Sequence, residues 1–229
     1  MGKFIRINRS KAGLMDLESL SRICCEGAII PDFAEVTERT ECGKVVEGCD
    51  AAMINAGAYM DSGKMTFKGS VGANAGKGMK DGTLTIEGDA GVNACASMQG
   101  GLAVFRGNVG SGFGADMRRG IAVVYGEARG DLCADMLGGT VVFLGGIAQG
   151  SRLCTGMNRG TVILPSKELV PEGFQRAADV DTMFLRVLFK ELIQRGVDIP
   201  ESWIGMPFTR WRGDMAALGK GEILTPADK

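Results

Sequence analysis

The sequence contains no histidine. That excludes a Ser-His-Asp triad, a Cys-His pair and any histidine-ligated zinc or iron supplied by this chain. Proline is scarce, 6 in 229 residues, and aromatics make up only 6 %. Neither sign of charge dominates: the formal net charge is −1 and no long basic run occurs, which argues against nucleic acid as the main partner. No apolar run is long enough for a membrane span. The opening residues Met1-Gly2-Lys3-Phe4-Ile5-Arg6 lack the apolar core of a signal peptide. The cysteines number seven, an odd count without framework spacing, so a cytoplasmic protein with reduced thiols is expected.

What is present is glycine, 36 of them, together with 45 % apolar residues. The glycines lack the period of three of collagen, and the Val, Ile and Met content is too high for disorder. They follow a longer period. Met60, Met79, Met98, Met117 and Met136 are nineteen residues apart, and each is followed three residues later by Gly63, Gly82, Gly101, Gly120 or Gly139. Six residues further come Gly69, Gly88, Gly107, Gly126 and Gly145, and a sixth unit, with Met157 and Gly160, is displaced by two. A period near twenty is the mark of a solenoid.

Each unit carries a strand between glycines, such as Thr83-Leu84-Thr85-Ile86-Glu87 or Thr140-Val141-Val142-Phe143-Leu144. The second and fourth positions are apolar throughout: Met65/Phe67, Leu84/Ile86, Ala103/Phe105, Ala122/Val124, Val141/Phe143 and Val162/Leu164. Alternation of period two places them on one face. Units in register at nineteen stack as a parallel ladder, one unit per coil, rising about 4.8 Å per coil; six coils make a column of roughly 29 Å. The methionines, with Val71, Ala90, Val109 and Ala128, are expected to point inward. Gly72, Gly91 and Gly110 fit corners that need positive φ or close backbone approach. Gly76, Cys95, Gly114, Cys133 and Cys154 share one place where the interior tolerates only small side chains.

The outward positions change along the column. The third strand residue runs Thr66, Thr85, Val104, Val123, Val142, Ile163; the fifth runs Lys68, Glu87, Arg106, Tyr125, Leu144, Pro165. An apolar outer face implies a cover. The chain offers one: residues 177–195 carry Met183, Phe184, Val187, Leu188 and Leu192 at helical spacing and end at Gly196, predicting a helix that packs on that face and caps the column. At the other end, residues 1–12 read as an edge strand or arm, residues 14–25 as a helix, and residues 43–48 as a degenerate repeat strand. The tail after Ile199 reads as irregular. The expected organisation is an arm and helix over 1–42, a repeat domain over 43–165, and a capping helix with tail over 166–229.

Candidate chemistry is thin. Residues 72–76 and their equivalents have the glycines of a phosphate-cradling loop, but such a loop occurs once, between strand and helix, and here it recurs in every coil. Cys24 and Cys25 are adjacent, poor ligand spacing. Cys95 and Cys133 sit two coils apart, whereas Cys133 and Cys154 sit on neighbouring coils, where a disulfide is sterically conceivable and buried thiols are the better reading. Asp214 and Glu222 with Arg210, Arg212 and Lys220 form the one charge cluster, read as a surface ion-pair set or a contact between subunits.

The repeat Gly-x-(Val/Ala)-Gly-x-x-x-(Gly/Cys)-x-x-Met-x-x-Gly, in residues 69–82, 88–101 and 107–120, resembles the GXGXG-type β-helix. That module is shared by the β-helical subunit of formylmethanofuran dehydrogenase and the C-terminal domain of glutamate synthase large chains. The tail, Phe208-Thr209-Arg210-Trp211-Arg212-Gly213-Asp214 followed by Leu218-Gly219-Lys220-Gly221-Glu222-Ile223-Leu224, resembles the ending of the former and of the related subunit of the bacterial formyltransferase/hydrolase complex. The resemblance covers residues 43–224. Arg129 stands where a glycine is usual, and two residues are inserted near Gly150.

The resemblance implies an all-β fold, a right-handed parallel β-helix with flanking N- and C-terminal helices. It implies a scaffolding subunit in one-carbon metabolism, either methanogenesis or methylotrophic formaldehyde oxidation. The complex interconverts formylmethanofuran, or a methanofuran analogue, with carbon dioxide or formate. Catalytic residues, and any molybdopterin, iron–sulfur or zinc centre, are expected on other subunits, and none on this chain. The partner surface is expected at Val123, Tyr125, Val142, Leu144, Arg210, Trp211, Arg212 and Asp214. The rivals are a glutamate-synthase-type subunit supporting an amidotransferase and FMN partner, and a free-standing binding module that uses the coil corners.

Overall fold

The structure is a computed structural model that describes residues 35–40, 43–49, 51–180, 183–213 and 220–227. The expected arm over 1–12 and helix over 14–25 lie outside the described residues.

The repeat strands build one continuous ladder. After β1 (Glu35–Thr40) and β2 (Gly43–Cys49) come β3 (Lys64–Gly69), β4 (Thr83–Ile86), β5 (Gln99–Phe105) and β6 (Arg119–Val124). Two-residue β7 (Asp131–Leu132) lies off the main sheet, which continues with β8 (Thr140–Phe143); β9 (Arg152–Leu153) pairs β7 on another side of the coil, and β10 (Thr161–Ile163) ends the repeats. Neighbours from β3 to β8 pair in parallel, and Lys64, Thr83, Leu102, Ile121 and Thr140 fall in line. Thr140 then pairs Thr161, and Lys44 pairs Met65, each a step of twenty-one. A second side of the coil is marked by the bridges Val71↔Ala90↔Val109↔Ala128↔Ile147, and a third by Phe113↔Leu132. Five full coils run from β3 to β10, one fewer than the six units in the sequence, because the last unit contributes only its strand.

The interior is the expected one. Met60, Met79, Met98, Met117, Met136 and Met157 are all fully buried, as are Met65/Phe67 through Val162/Leu164. Phe113 meets Phe105 edge-on at 5.4 Å and Phe143 at 5.9 Å, tying three coils together.

The corners differ from expectation in one respect. Gly72, Gly91 and Gly110 are not in the positive-φ region. They are required by close approach: a Cβ on Gly91 would lie 2.8 Å from the carbonyl carbon of Gly72. Left-handed backbone falls elsewhere, on alternate residues of the segment before each methionine: Asn74, Gly76 and Gly78 in one coil, Asn93, Cys95 and Ser97 in the next. Alternating handedness turns successive N–H groups in opposite directions. Asn74 N donates to Val92 O of the next coil and Gly76 N to Ala56 O of the previous one, both at 2.8 Å. The column is thus bonded in both directions where no regular strand exists.

The tail corrects the expectation most. Residues 175–180 belong to a strand, β11 (Gln175–Val180), and the helix α1 is confined to Met183–Gln194. The tail read as irregular forms β12 (Phe208–Arg212) and β13 (Glu222–Pro226). The reason is the free edge of β10: β13 pairs with it in parallel, Val162 against Ile223, and β12 and β11 follow antiparallel. These strands, not the helix, cap the sheet, which reaches eleven strands in the order β1-β2-β3-β4-β5-β6-β8-β10-β13-β12-β11. Gly221 sits over the end of the methionine ladder, where a Cβ would come within 2.9 Å of Met157. No helix among the described residues is long and apolar enough to cross a membrane.

Candidate functional site

The outer sheet face and what covers it form the most distinctive region. Alternation puts Val104, Val123, Val142 and Ile163 outward, and together with Leu102 they are buried under α1, which contributes Leu185, Leu188, Phe189 and Leu192. The chain then doubles back and adds Trp203, Phe208 and Leu224 to the same cluster. Phe189, Trp203 and Phe208 form a triangle of rings with centroids 5.8–5.9 Å apart. Fully burying a side chain of this size contributes about 1.5–3 kcal/mol, so these contacts hold the helix in place.

A polar clasp closes one margin. Asp198 N donates to Tyr125 Oη at 2.6 Å. Arg106 lies 3.3 Å from the Asp198 carboxylate, and its guanidinium sits 5.1 Å from the centre of the Tyr125 ring. Burial raises the Tyr125 phenol above its ordinary value and the Asp198 carboxylate adds to that, against the opposing effects of the Asp198 N–H and of Arg106. Sequence reading placed Arg106 and Tyr125 in one outward column but missed Asp198, ninety-two residues from Arg106.

The residues expected to face a partner separate into two groups. Val123 and Val142 are fully buried beneath the chain's own helix, and Tyr125 and Leu144 lie half-buried at its margin. Arg210, Trp211 and Arg212 lie on β12, away from that helix-covered patch; Asp214 lies outside the described residues. Arg210 Nε sits 3.1 Å from Glu222 Oε2 without the angle of a hydrogen bond, and Glu222 Oε1 accepts from Thr161 Oγ1 at 2.7 Å. Trp211 Nε1 donates to Thr225 Oγ1 at 3.0 Å, and its ring packs on the inner core. The charge cluster thus includes a brace between tail and last coil, while Arg212 and Lys220 are exposed.

The glycine corners have no N–H to spare for a phosphate at three representative positions. Gly72 N donates to Met53 O at 2.8 Å, Gly91 N to Val71 O at 3.0 Å and Gly78 N to Ala96 O at 2.9 Å. Cys95, Cys133 and Cys154 are free thiols inside the column. Burial pushes the Cys95 and Cys154 thiols well up, and Cys154 is also held by a hydrogen bond with Cys133. A protonated, enclosed thiol is neither nucleophile nor metal ligand. No group of three or more His, Cys, Asp or Glu side chains suited to a metal occurs among the described residues.

No protein-family model matches the chain, and no curated protein matches it. Among solved structures it is similar to a chain of the formyltransferase/hydrolase complex (FhcABCD) from Methylorubrum extorquens, crystallised with methylofuran, with 31 % identity and a TM-score of 0.69. The match covers 81 % of this chain and 72 % of that one. The chain belongs to the family of that complex's matching subunit. Membership agrees with the solenoid of stacked coils and points to a part of a one-carbon complex.

Proposed function

We propose that this chain is the scaffolding β-helix subunit of a formyltransferase/hydrolase or formylmethanofuran dehydrogenase complex. In this reading it is a right-handed parallel β-helix in the cytoplasm that carries no active site. Other subunits carry the catalytic groups and any molybdopterin, iron–sulfur or zinc centre. The observation that carries the proposal is the match to a chain of such a complex over four-fifths of this sequence. A second feature supports it. The helix that hides Val123 and Val142 presents another apolar stripe outward, with Met183 74 %, Phe184 52 % and Val187 60 % exposed. Met183 and Val187 stand one turn apart and Phe184 lies between them, a compact surface of the kind found where subunits meet. The partner surface is therefore placed on α1, with Tyr125 and Leu144 at its margin.

The test is purification of the native complex and of a Val187→Asp variant. Mass spectrometry should identify co-purifying formyltransferase or hydrolase subunits with the wild type. The variant should lose them at least tenfold, with an unchanged melting temperature because the side chain is exposed. Formyl transfer or hydrolysis by the isolated chain would sink the non-catalytic reading. Co-purification with a glutamine amidotransferase would favour the glutamate-synthase-type alternative.

A further inference from the structure

The solenoid is capped on one side only. Strand β13 continues the main sheet past β10, but among the described residues the other two sides end at the last coil. In every earlier coil the second side is bonded upward: Val71, Ala90, Val109 and Ala128 donate to Asp89, Asn108, Glu127 and Gly146, and accept from Gly91, Gly110, Arg129 and Ala148. The series stops at Ile147, whose N–H and C=O have no partner among the described residues. The third side runs alike: Ala56, Ala75, Ala94, Phe113 and Leu132 carbonyls each accept from the next coil, and Leu153 O has no donor among the described residues. Two adjoining sides thus present unfinished ladder edges.

Above them lies a groove of about 680 Å³ between the last coil and the crossing segment 168–174. Leu169, Val170 and Phe174 form its apolar wall, packed against the inner core. Its charge is acidic. Arg152 is matched already, bound through Nε and a terminal nitrogen to both Asp131 oxygens at 2.5 and 2.7 Å. The carboxylates of Glu168 and Glu172 stand on the lining, and Glu172 is exposed.

We infer that this groove seats an extended peptide segment of a partner chain, which continues the ladder over Ile147 and Leu153 and sets a lysine or arginine against Glu172. Only a peptide backbone carries donors and acceptors at the spacing of a strand edge, and addition of a strand to such an edge is an established mode of peptide recognition. The apolar wall takes the side chains that face inward. The partner is a subunit of the complex, so the inference rests on the proposed scaffold role.

The test places the photo-crosslinker p-benzoylphenylalanine at Gln149, exposed at the groove, within the full chain in its complex. A control places it at Val92, exposed on a distant coil. Irradiation and mass spectrometry should give one stretch of one co-purifying subunit from Gln149, containing Lys or Arg, and not from Val92. Glu172→Lys should reduce the yield about tenfold by setting like charges together, and reversing the partner's basic residue should restore it. A complex that assembles normally but gives no such crosslink, or one indifferent to Glu172→Lys, overturns the groove and leaves the scaffold role standing. Failure of any subunit to co-purify overturns both.

Discussion

Strand β6 serves two cores at once. Ala122 and Val124 point into the column, among the methionine ladder and the phenylalanines; Ile121 and Val123 point out, beneath the helix and the tail. The inner core is closed by the repeat itself, since each coil meets an equivalent coil nineteen residues away. The outer core is closed by a segment that does not repeat, with Val104 and Leu188 buried in one cluster. The contrast separates two sources of stability. Periodic contacts propagate from neighbour to neighbour, whereas the tail is one long-range attachment that can open alone.

The largest test strikes the inner core. Phe113 is fully buried and joins Phe105 to Phe143 across three coils. Phe113→Ala is expected to cost about 3–5 kcal/mol, and urea unfolding should show the column and tail melting together. If the tail signals melted first and the column later, the inner core would not be the foundation of the outer one.

Leu188→Ala strikes the outer core from the helix side, at a residue 5 % exposed. Its local cost is about 2–5 kcal/mol, and the outcome that matters is where it appears. Hydrogen exchange should rise over residues 183–199 and stay protected over β3 to β6. Equal loss of protection in both regions would mean that the two cores form a single cooperative unit and would erase the contrast.

The two cores were unequally legible in the sequence. Alternation fixed Met65/Phe67 through Val162/Leu164 as inward, because period two leaves no other face for them. The same alternation exposed the change from Thr85 to Val104 and so implied a cover. The strand Phe208-Thr209-Arg210-Trp211-Arg212 was not readable: its burial falls steadily from Phe208 to Arg212 rather than alternating, and it is a strand because β13 has already taken the edge of β10. The left-handed sites at Asn93, Cys95 and Ser97 escaped too, since glycine was taken as the sign of positive φ and other small or polar residues fill those places in this coil. Unpaired backbone at Ile147 and Leu153 has no side-chain signature at all. The family resemblance reached the complex, but the helix over Val123 and Val142 came only with the fold.

The smallest test is at the clasp that joins the two cores. Tyr125→Phe removes the acceptor of the Asp198 N–H at a half-exposed margin, where water replaces part of it, so about 0.5–1 kcal/mol is expected. The phenol also titrates. Its folded value lies above the ordinary 10 of the unfolded chain, chiefly through burial. Above pH 10 the unfolded chain therefore holds fewer phenolic protons than the folded one, and stability must fall as pH rises. The contribution is complete below pH 10 and is lost as pH climbs through the folded value. Hydrogen exchange or tryptophan fluorescence of the tail near Trp203 should thus show the wild type ahead of Tyr125→Phe at pH 8, with the lead shrinking above pH 10. A lead that persisted unchanged in strong alkali would assign the clasp to Arg106 and Asp198 alone.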